Sequence, residues 1–294
     1  MACLELTKVH GVGPGTAVAW YKSGIRSVED ARRRLDAEGD DRLPMLKEET
    51  IMGLRHFDDM QVPIAREEVL RIAGETRTEA EELGLERDPE GTVYFEVCGG
   101  FRRGKTKCHD VDILVSFRRR NGESGHVGFV ESRRLRGPLS LSTNTIIVLC
   151  LPICGLVYAL KDLKQRLVAR GKLCATLYQG RMGGFGKKSE NMGPILEREE
   201  VLMGLWQLPN RKCRIDIVQV ALPQWPFAVL GWSGTVMFEK DLRRYAQDEM
   251  KLKLSQKGLC HLPSETPLTD TFLTEEDIFR RLGLEYLPPC FRWA

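Results

Sequence analysis

An α+β protein is what the sequence predicts, on three observations. Helical, glycine-punctuated segments fill roughly the first 60 residues. Apolar residues then alternate with a period of two around 92–97, 111–115 and 215–220, and helical spacing returns beyond Leu222.

The N-terminal part carries GVGPGT, Gly11 to Thr16, between an apolar-edged segment and the amphipathic stretch Ala17 to Lys22, which predicts two helices joined by a tight glycine turn. A longer helix is expected from Ile64 to Leu83, because Val69, Leu70, Ile72 and Ala73 form an apolar stripe and Gly84 with Asp88-Pro89 can end it. Val93, Phe95 and Val97 mark a first strand, Val111, Ile113 and Val115 a second, and Ile215 to Val220 a third, with a helix at Tyr158 to Ala169 between them. After Leu222 the chain reads as helical and then loop-rich towards Pro288-Pro289.

With 294 residues, 42% hydrophobic and 29% charged, the chain can bury a sizeable core divided among two or three small domains. A net charge of +3 is too mild to imply nucleic-acid binding, so any such case rests on where Lys and Arg sit. The short runs Arg32–Arg34 and Arg118–Arg120 read first as solvated faces. The nine Cys have no C-x-x-C spacing, which speaks against a structural zinc site or a disulfide framework and for a reducing compartment. The apolar run Ile146 to Leu160, broken by Pro152 and Gly155, falls short of the roughly 20 residues a membrane helix needs, so no membrane partner is expected.

Asp110 and Asp112 are two apart in a strand and share a face, where paired carboxylates can chelate a divalent cation. Asp216 interrupts the β-type run CRIDIVQV and is the candidate third ligand. Taken alone, two exposed strand-end aspartates account for the same pattern. What favours chemistry is the preceding Gly99-Gly100-Phe101-Arg102-Arg103-Gly104-Lys105, a strand-to-helix glycine turn with bare backbone N–H groups and three cations, suited to a triphosphate.

The ordered set GGFRRGK, HDVDIL, RIDIV and LGWSG followed by FEKDLRRYA resembles the family X DNA polymerases, most of all their mu and terminal-transferase branch, and the likeness runs from Gly11 to Tyr286. It implies helical fingers with a helix-hairpin-helix over 1–62, a nucleotidyltransferase palm with a mixed β-sheet and helices over 63–222, and a small C-terminal α/β subdomain that selects the nucleotide over 223–294. The implied enzyme is a DNA-directed DNA polymerase or a template-independent DNA nucleotidylexotransferase, adding nucleotides from dNTPs to a DNA 3′ end by a two-metal mechanism. The alternative is a catalytically impaired DNA-end-binding protein of the same descent.

By the same resemblance Asp110, Asp112 and Asp216 would hold two Mg²⁺ ions, with Mn²⁺ able to substitute, and Asp216 would lie beside the primer 3′-hydroxyl. Gly99, Gly100, Arg103 and Lys105 would hold the triphosphate, with His109 near its γ end; Gly231, Trp232, Gly234 and Lys240 would face the nucleotide. Gly231 stands where the beta and lambda types carry Tyr, so weak discrimination against ribonucleotides is implied. The turn Gly11, Val12, Gly13, Gly15 and Thr16 would grip primer-strand phosphates, and Arg243 and Arg244 would contact DNA. Val236 and Gly15 depart from the family, whose members usually have basic residues at those positions.

The implied partners are DNA ends or primer-template DNA and dNTPs, the implied setting nuclear double-strand-break repair by end joining. The chain starts at the fingers, so the family's 8-kDa and N-terminal modules have no counterpart here, which leaves contacts with end-joining factors open. Residues 129–154 also lack a counterpart and read as a genuine insert or a translated intron, which transcript sequencing separates. The Gly-, Lys- and Ser-rich stretch between Tyr178 and Glu199 lies where mu and terminal transferase carry the loop that replaces a missing template, leaving template dependence open.

Overall fold

The computed structural model describes residues 1–37, 43–118, 159–181 and 199–293. Phe129 to Cys154, and most of the stretch between Tyr178 and Glu199, lie outside them.

Five helices open the chain: α1 (Ala2–Leu6), α2 (Pro14–Lys22), α3 (Val28–Arg33), α4 (Glu48–Arg55) and α5 (Phe57–Gln61). They enclose their own core, with Leu6, Trp20, Ile25 and Leu54 fully buried and the Trp20 indole donating to Pro44 O at 2.8 Å. Pro14 opens α2, where its missing N–H costs nothing and its fixed φ suits the helix. Gly11 is required in the turn before it: φ is +83°, and a β-carbon would come within 3.0 Å of the Thr50 backbone N.

The central layer is a five-stranded mixed sheet in the order β2-β4-β7-β6-β5, with β2 (Thr92–Val97), β4 (Asp110–Arg118), β5 (Leu173–Arg181), β6 (Glu200–Gln207) and β7 (Lys212–Gln219). Only β4 and β7 are parallel; every other pair is antiparallel. Helices α6 (Arg66–Arg87) and α8 (Ala159–Ala169) cover one face, over Val111, Ile113, Val115, Ile215 and Ile217. On the other face Leu114 and Val218 pack under α9 (Trp225–Ser233) through Ala228 and Val229.

The expected helix from Ile64 begins later and ends later. Ile64–Ala65 form a short strand, β1, paired with β3 (Lys107–Cys108), and the Glu68 carboxylate accepts from the Ala65 N–H at 2.9 Å to start α6. Gly84 does not stop the helix; it lets α6 lie against β2, since a β-carbon there would be 2.5 Å from Val93 Cγ2. β5 and β6 lack the clean alternation of the predicted strands. β6 is buried almost throughout, which removes the period-two signature.

The C-terminal part has a third core around Phe227, Leu230, Leu242, Leu254, Ile278 and Phe279. It is built from α9, α10 (Val236–Asp248), the hairpin β8 (Leu252–Ser255) and β9 (Gly258–His261), and α11 (Glu275–Arg281). Among the described residues no helix is long and apolar enough to cross a membrane.

Candidate active site

Sheet register brings the three aspartates together. In the parallel pairing of β4 with β7, Asp112 stands opposite Asp216 and Asp110 opposite Arg214. Because side chains alternate, Asp110 and Asp112 share the face that further along carries Leu114, and Asp216 the face that carries Val218. Helix α9 covers that face from Leu114 onward, and the carboxylates precede the covered stretch, Asp110 and Asp112 half-buried at the start of β4 and Asp216 buried within β7. One oxygen from each of Asp110, Asp112 and Asp216 lies within 4.8 Å of the others.

Three carboxylates so close repel one another, and the protein answers with Arg214. Its Nε and Nη2 donate to Asp216 Oδ1 and Oδ2 at 3.0 and 2.7 Å, and Nη2 lies 3.2 Å from Asp110 Oδ2. Burial, followed by the charges of Asp110 and Asp216, pushes the Asp112 carboxyl well above its ordinary pKa. Asp110 is also raised, by burial first, with Arg214 pulling the other way. Burial opposes the Arg214 charge, yet the bond to Asp216 and the three negative charges outweigh it and raise its pKa. Arg214 went unnoticed in the sequence, although its place two residues before Asp216 in a strand puts both on one face. An all-oxygen, acidic donor set of this kind fits a hard divalent cation.

The glycine turn lies directly beside the trio. Gly99 opens the short helix α7 (Gly99–Arg102). The three cations of the turn do not act alike. Arg102 is turned away, to Glu275 at 2.6 Å and Ser233 Oγ at 2.8 Å. Arg103 donates through Nη1 to Ser233 O, and its buried Nε has no partner among the described residues. Gly100 and Lys105 adjoin, a β-carbon on the former reaching 3.2 Å from Lys105 Cδ.

His109 is exposed and lines a cleft of about 450 Å³ with Arg214, Gly11, Val12 and Gly13, so the N-terminal glycine turn and the arginine that pairs with the carboxylates open onto one space. His10 lines it too, its pKa lowered by burial and then by Arg214. Gly13 and Gly15 have open space where a side chain would be, and Thr16 is half-buried.

On the far side, Gly234 has φ +68° and a β-carbon there would be 3.0 Å from Arg103 Nη1. The space beside Gly231 is not empty: a β-carbon would meet Gln256 Cγ at 2.6 Å, a residue of the β8–β9 turn that sequence reasoning overlooked. Trp232 Nε1 is buried with no partner among the described residues. Lys240 and Arg244 are exposed on α10, Arg244 3.5 Å from Asp241, whereas Arg243 is drawn to the buried Glu239 at 3.1 Å.

The DNA polymerase beta palm model matches residues 63–221, more than half of the chain. The chain belongs to the family X DNA polymerases. The fingers domain of DNA polymerase lambda matches 4–61 and the DNA polymerase beta thumb 228–293. Among similar proteins, the human DNA-directed DNA/RNA polymerase mu is 31% identical over 96% of this chain and 50% of its own length. The DNA nucleotidylexotransferase of Xenopus laevis is 30% identical over 99% and 52%, and that of Ambystoma mexicanum 29% identical over 98% and 51%. The chain thus spans about half the length of the curated relatives it matches.

Proposed function

We propose that this chain is a nucleotidyltransferase that adds nucleotides from dNTPs to the 3′ end of DNA. The convergence of Asp110, Asp112 and Asp216 within 4.8 Å, beside a glycine turn carrying Arg103, supports the reading most directly. In the reaction the 3′-hydroxyl oxygen bonds to the α-phosphorus, the bond to the bridging oxygen breaks, and pyrophosphate leaves.

Asp110, Asp112 and Asp216 would hold two divalent cations, Mg²⁺ or Mn²⁺. Bound there, the ions polarise the phosphoryl oxygens and ease loss of the hydroxyl proton. Asp216, the most buried of the three, orients the attacking hydroxyl. Arg103 and Lys105 bind the triphosphate, with the Nε of Arg103, unpartnered among the described residues, a donor in reserve, and His109 lies towards its γ end. Gly99 and Gly100 keep the backbone close to the phosphates. Trp232, Gly234 and Lys240 face the nucleotide, and Gly231 leaves Gln256 rather than a bulky aromatic near the sugar, which admits ribonucleotides as well.

Gly11, Gly13, Gly15 and Thr16 present backbone N–H groups to primer phosphates, Val12, whose own N–H goes to Val9 O at 3.0 Å, holds the turn between them, and Arg244 adds a charge on α10. The division of labour follows 1–62, 63–222 and 223–294. By family resemblance the reading extends to end joining of double-strand breaks in the nucleus.

The test is extension of a 5′-labelled DNA primer with Mg²⁺ or Mn²⁺, with and without template, beside an Asp216→Ala control. Extension lost in the control establishes the activity. No extension by folded, DNA-bound protein sinks it.

A further inference from the structure

Arg102 and Arg103 are neighbours, yet Arg102 turns to the C-terminal part of the chain. Its Nη2 donates to Glu275 Oε2 at 2.6 Å and its Nη1 to Ser233 Oγ at 2.8 Å. Glu275, only 4% exposed, also accepts from Arg292 Nη1 on Oε1 at 2.8 Å and from the Tyr286 hydroxyl at 3.3 Å. Arg292 is fully buried: Nε donates to Leu287 O at 2.9 Å, and its guanidinium carbon lies 5.3, 5.5 and 5.7 Å from the ring centres of Phe238, Phe279 and Tyr286.

A buried carboxylate between two guanidiniums adds little net stability over an apolar cluster of the same volume; what it adds is a fixed direction. That direction matters at α7, four residues long, opened by Gly99 and followed after Arg103 by Gly104, both glycines at positive φ, so that its own backbone holds it weakly. Tertiary contacts therefore place it. On the palm side Arg66 donates to Phe101 O at 2.9 Å and stacks 3.8 Å over the Phe101 ring. On the C-terminal side the tie runs through Arg102. Ser233 joins the two arginines, its hydroxyl accepting from Arg102 and its carbonyl from Arg103.

We propose that Glu275 and Arg292 are positioning residues for the phosphate-binding turn: through Arg102 and Ser233 they hold α7 and Arg103 in place, so the C-terminal segment sets nucleotide affinity without touching the nucleotide. The claim about affinity rests on the reading of this turn as a triphosphate site.

The experiment compares the full chain with Glu275→Gln and Arg292→Lys, two size-conserving changes, so that one folded variant suffices. Amide hydrogen exchange is followed at residues 99–104 without ligand, and affinity is measured for an α,β-imido dATP analogue with Mg²⁺ and primer DNA. The expected result is faster exchange at 99–104 with β4 and β7 unchanged, nucleotide affinity weaker by roughly tenfold or more, and KM for dNTP rising more than kcat falls. Unchanged exchange at 99–104 overturns the positioning role, as does an unchanged analogue affinity accompanied only by a lower Tm. Failure of the parent chain to bind the analogue sinks the triphosphate reading and the affinity claim with it, and the exchange data still decide whether Glu275 holds α7.

Discussion

A β-carbon on Gly99 would stand 1.8 Å from Oδ2 of Asp112, so these two residues coexist only because position 99 has no side chain. The backbone agrees, with φ +57° at Gly99. Gly99→Ala is therefore expected to displace the Asp112 carboxylate and weaken Mn²⁺ binding at least about tenfold, since a ligand lost from a small donor set costs 10-fold or more. Gly104→Ala is the control: it has φ +87° but no atom near its would-be β-carbon, so it loses about 1 kcal/mol of stability and keeps its metal affinity. Mn²⁺ titration followed by paramagnetic resonance distinguishes the two.

Arg214 neutralises the carboxylates from within. Its removal in Arg214→Ala leaves Asp216, 1% exposed, without its bidentate partner, and the metal-free chain should lose on the order of 2 kcal/mol. Added Mg²⁺ should recover much of that loss, so the gap in Tm with and without metal widens relative to the parent. An unchanged gap would show that Arg214 does not balance the trio.

Protons and cations compete for the same oxygens. Asp112 and Asp110 both have raised pKa values, so each binds a proton at a pH above the ordinary carboxylate range. For the metal-free chain the raised values mean that stability from this cluster is lost as pH rises through them and regained as pH falls. Metal affinity runs the other way, weakening on acidification through that window by up to about tenfold per pH unit for each proton displaced. Calorimetric Mg²⁺ titrations at stepped pH check this, and Asp110→Asn should flatten the dependence.

Trp20 closes the N-terminal core, fully buried and bonded to Pro44 O. Trp20→Ala should cost about 3–5 kcal/mol and melt this helical part before the rest. Calorimetry should then resolve a separate low-temperature transition; a single transition near the parent Tm would contradict it.

The chain's local chemistry was open to reading in one dimension. Alternation around Val111 to Val115 and Ile215 to Ile217 revealed β4 and β7, the two-residue spacing of Asp110 and Asp112 put them on one face, and the glycine turn before them marked a strand-to-helix turn with bare backbone N–H groups. These rest on short-range periodicity and sterics, which a sequence carries openly. Strands β5 and β6 were not readable in this way, because β6 is buried on both faces and has no alternation to show.

By itself, the sequence determined which residues could do chemistry: three carboxylates, a glycine turn and the cations near it. Tertiary structure decided which of them lie together. Sheet register sets Asp112 opposite Asp216 across more than a hundred residues of chain and brings Arg214 among the acids, while packing of the C-terminal part draws Arg102 towards Glu275 and sets Gln256 against Gly231. The physical reason is that a side chain's charge partners are chosen by packing and burial, and burial is a property of the folded whole that no local spacing encodes.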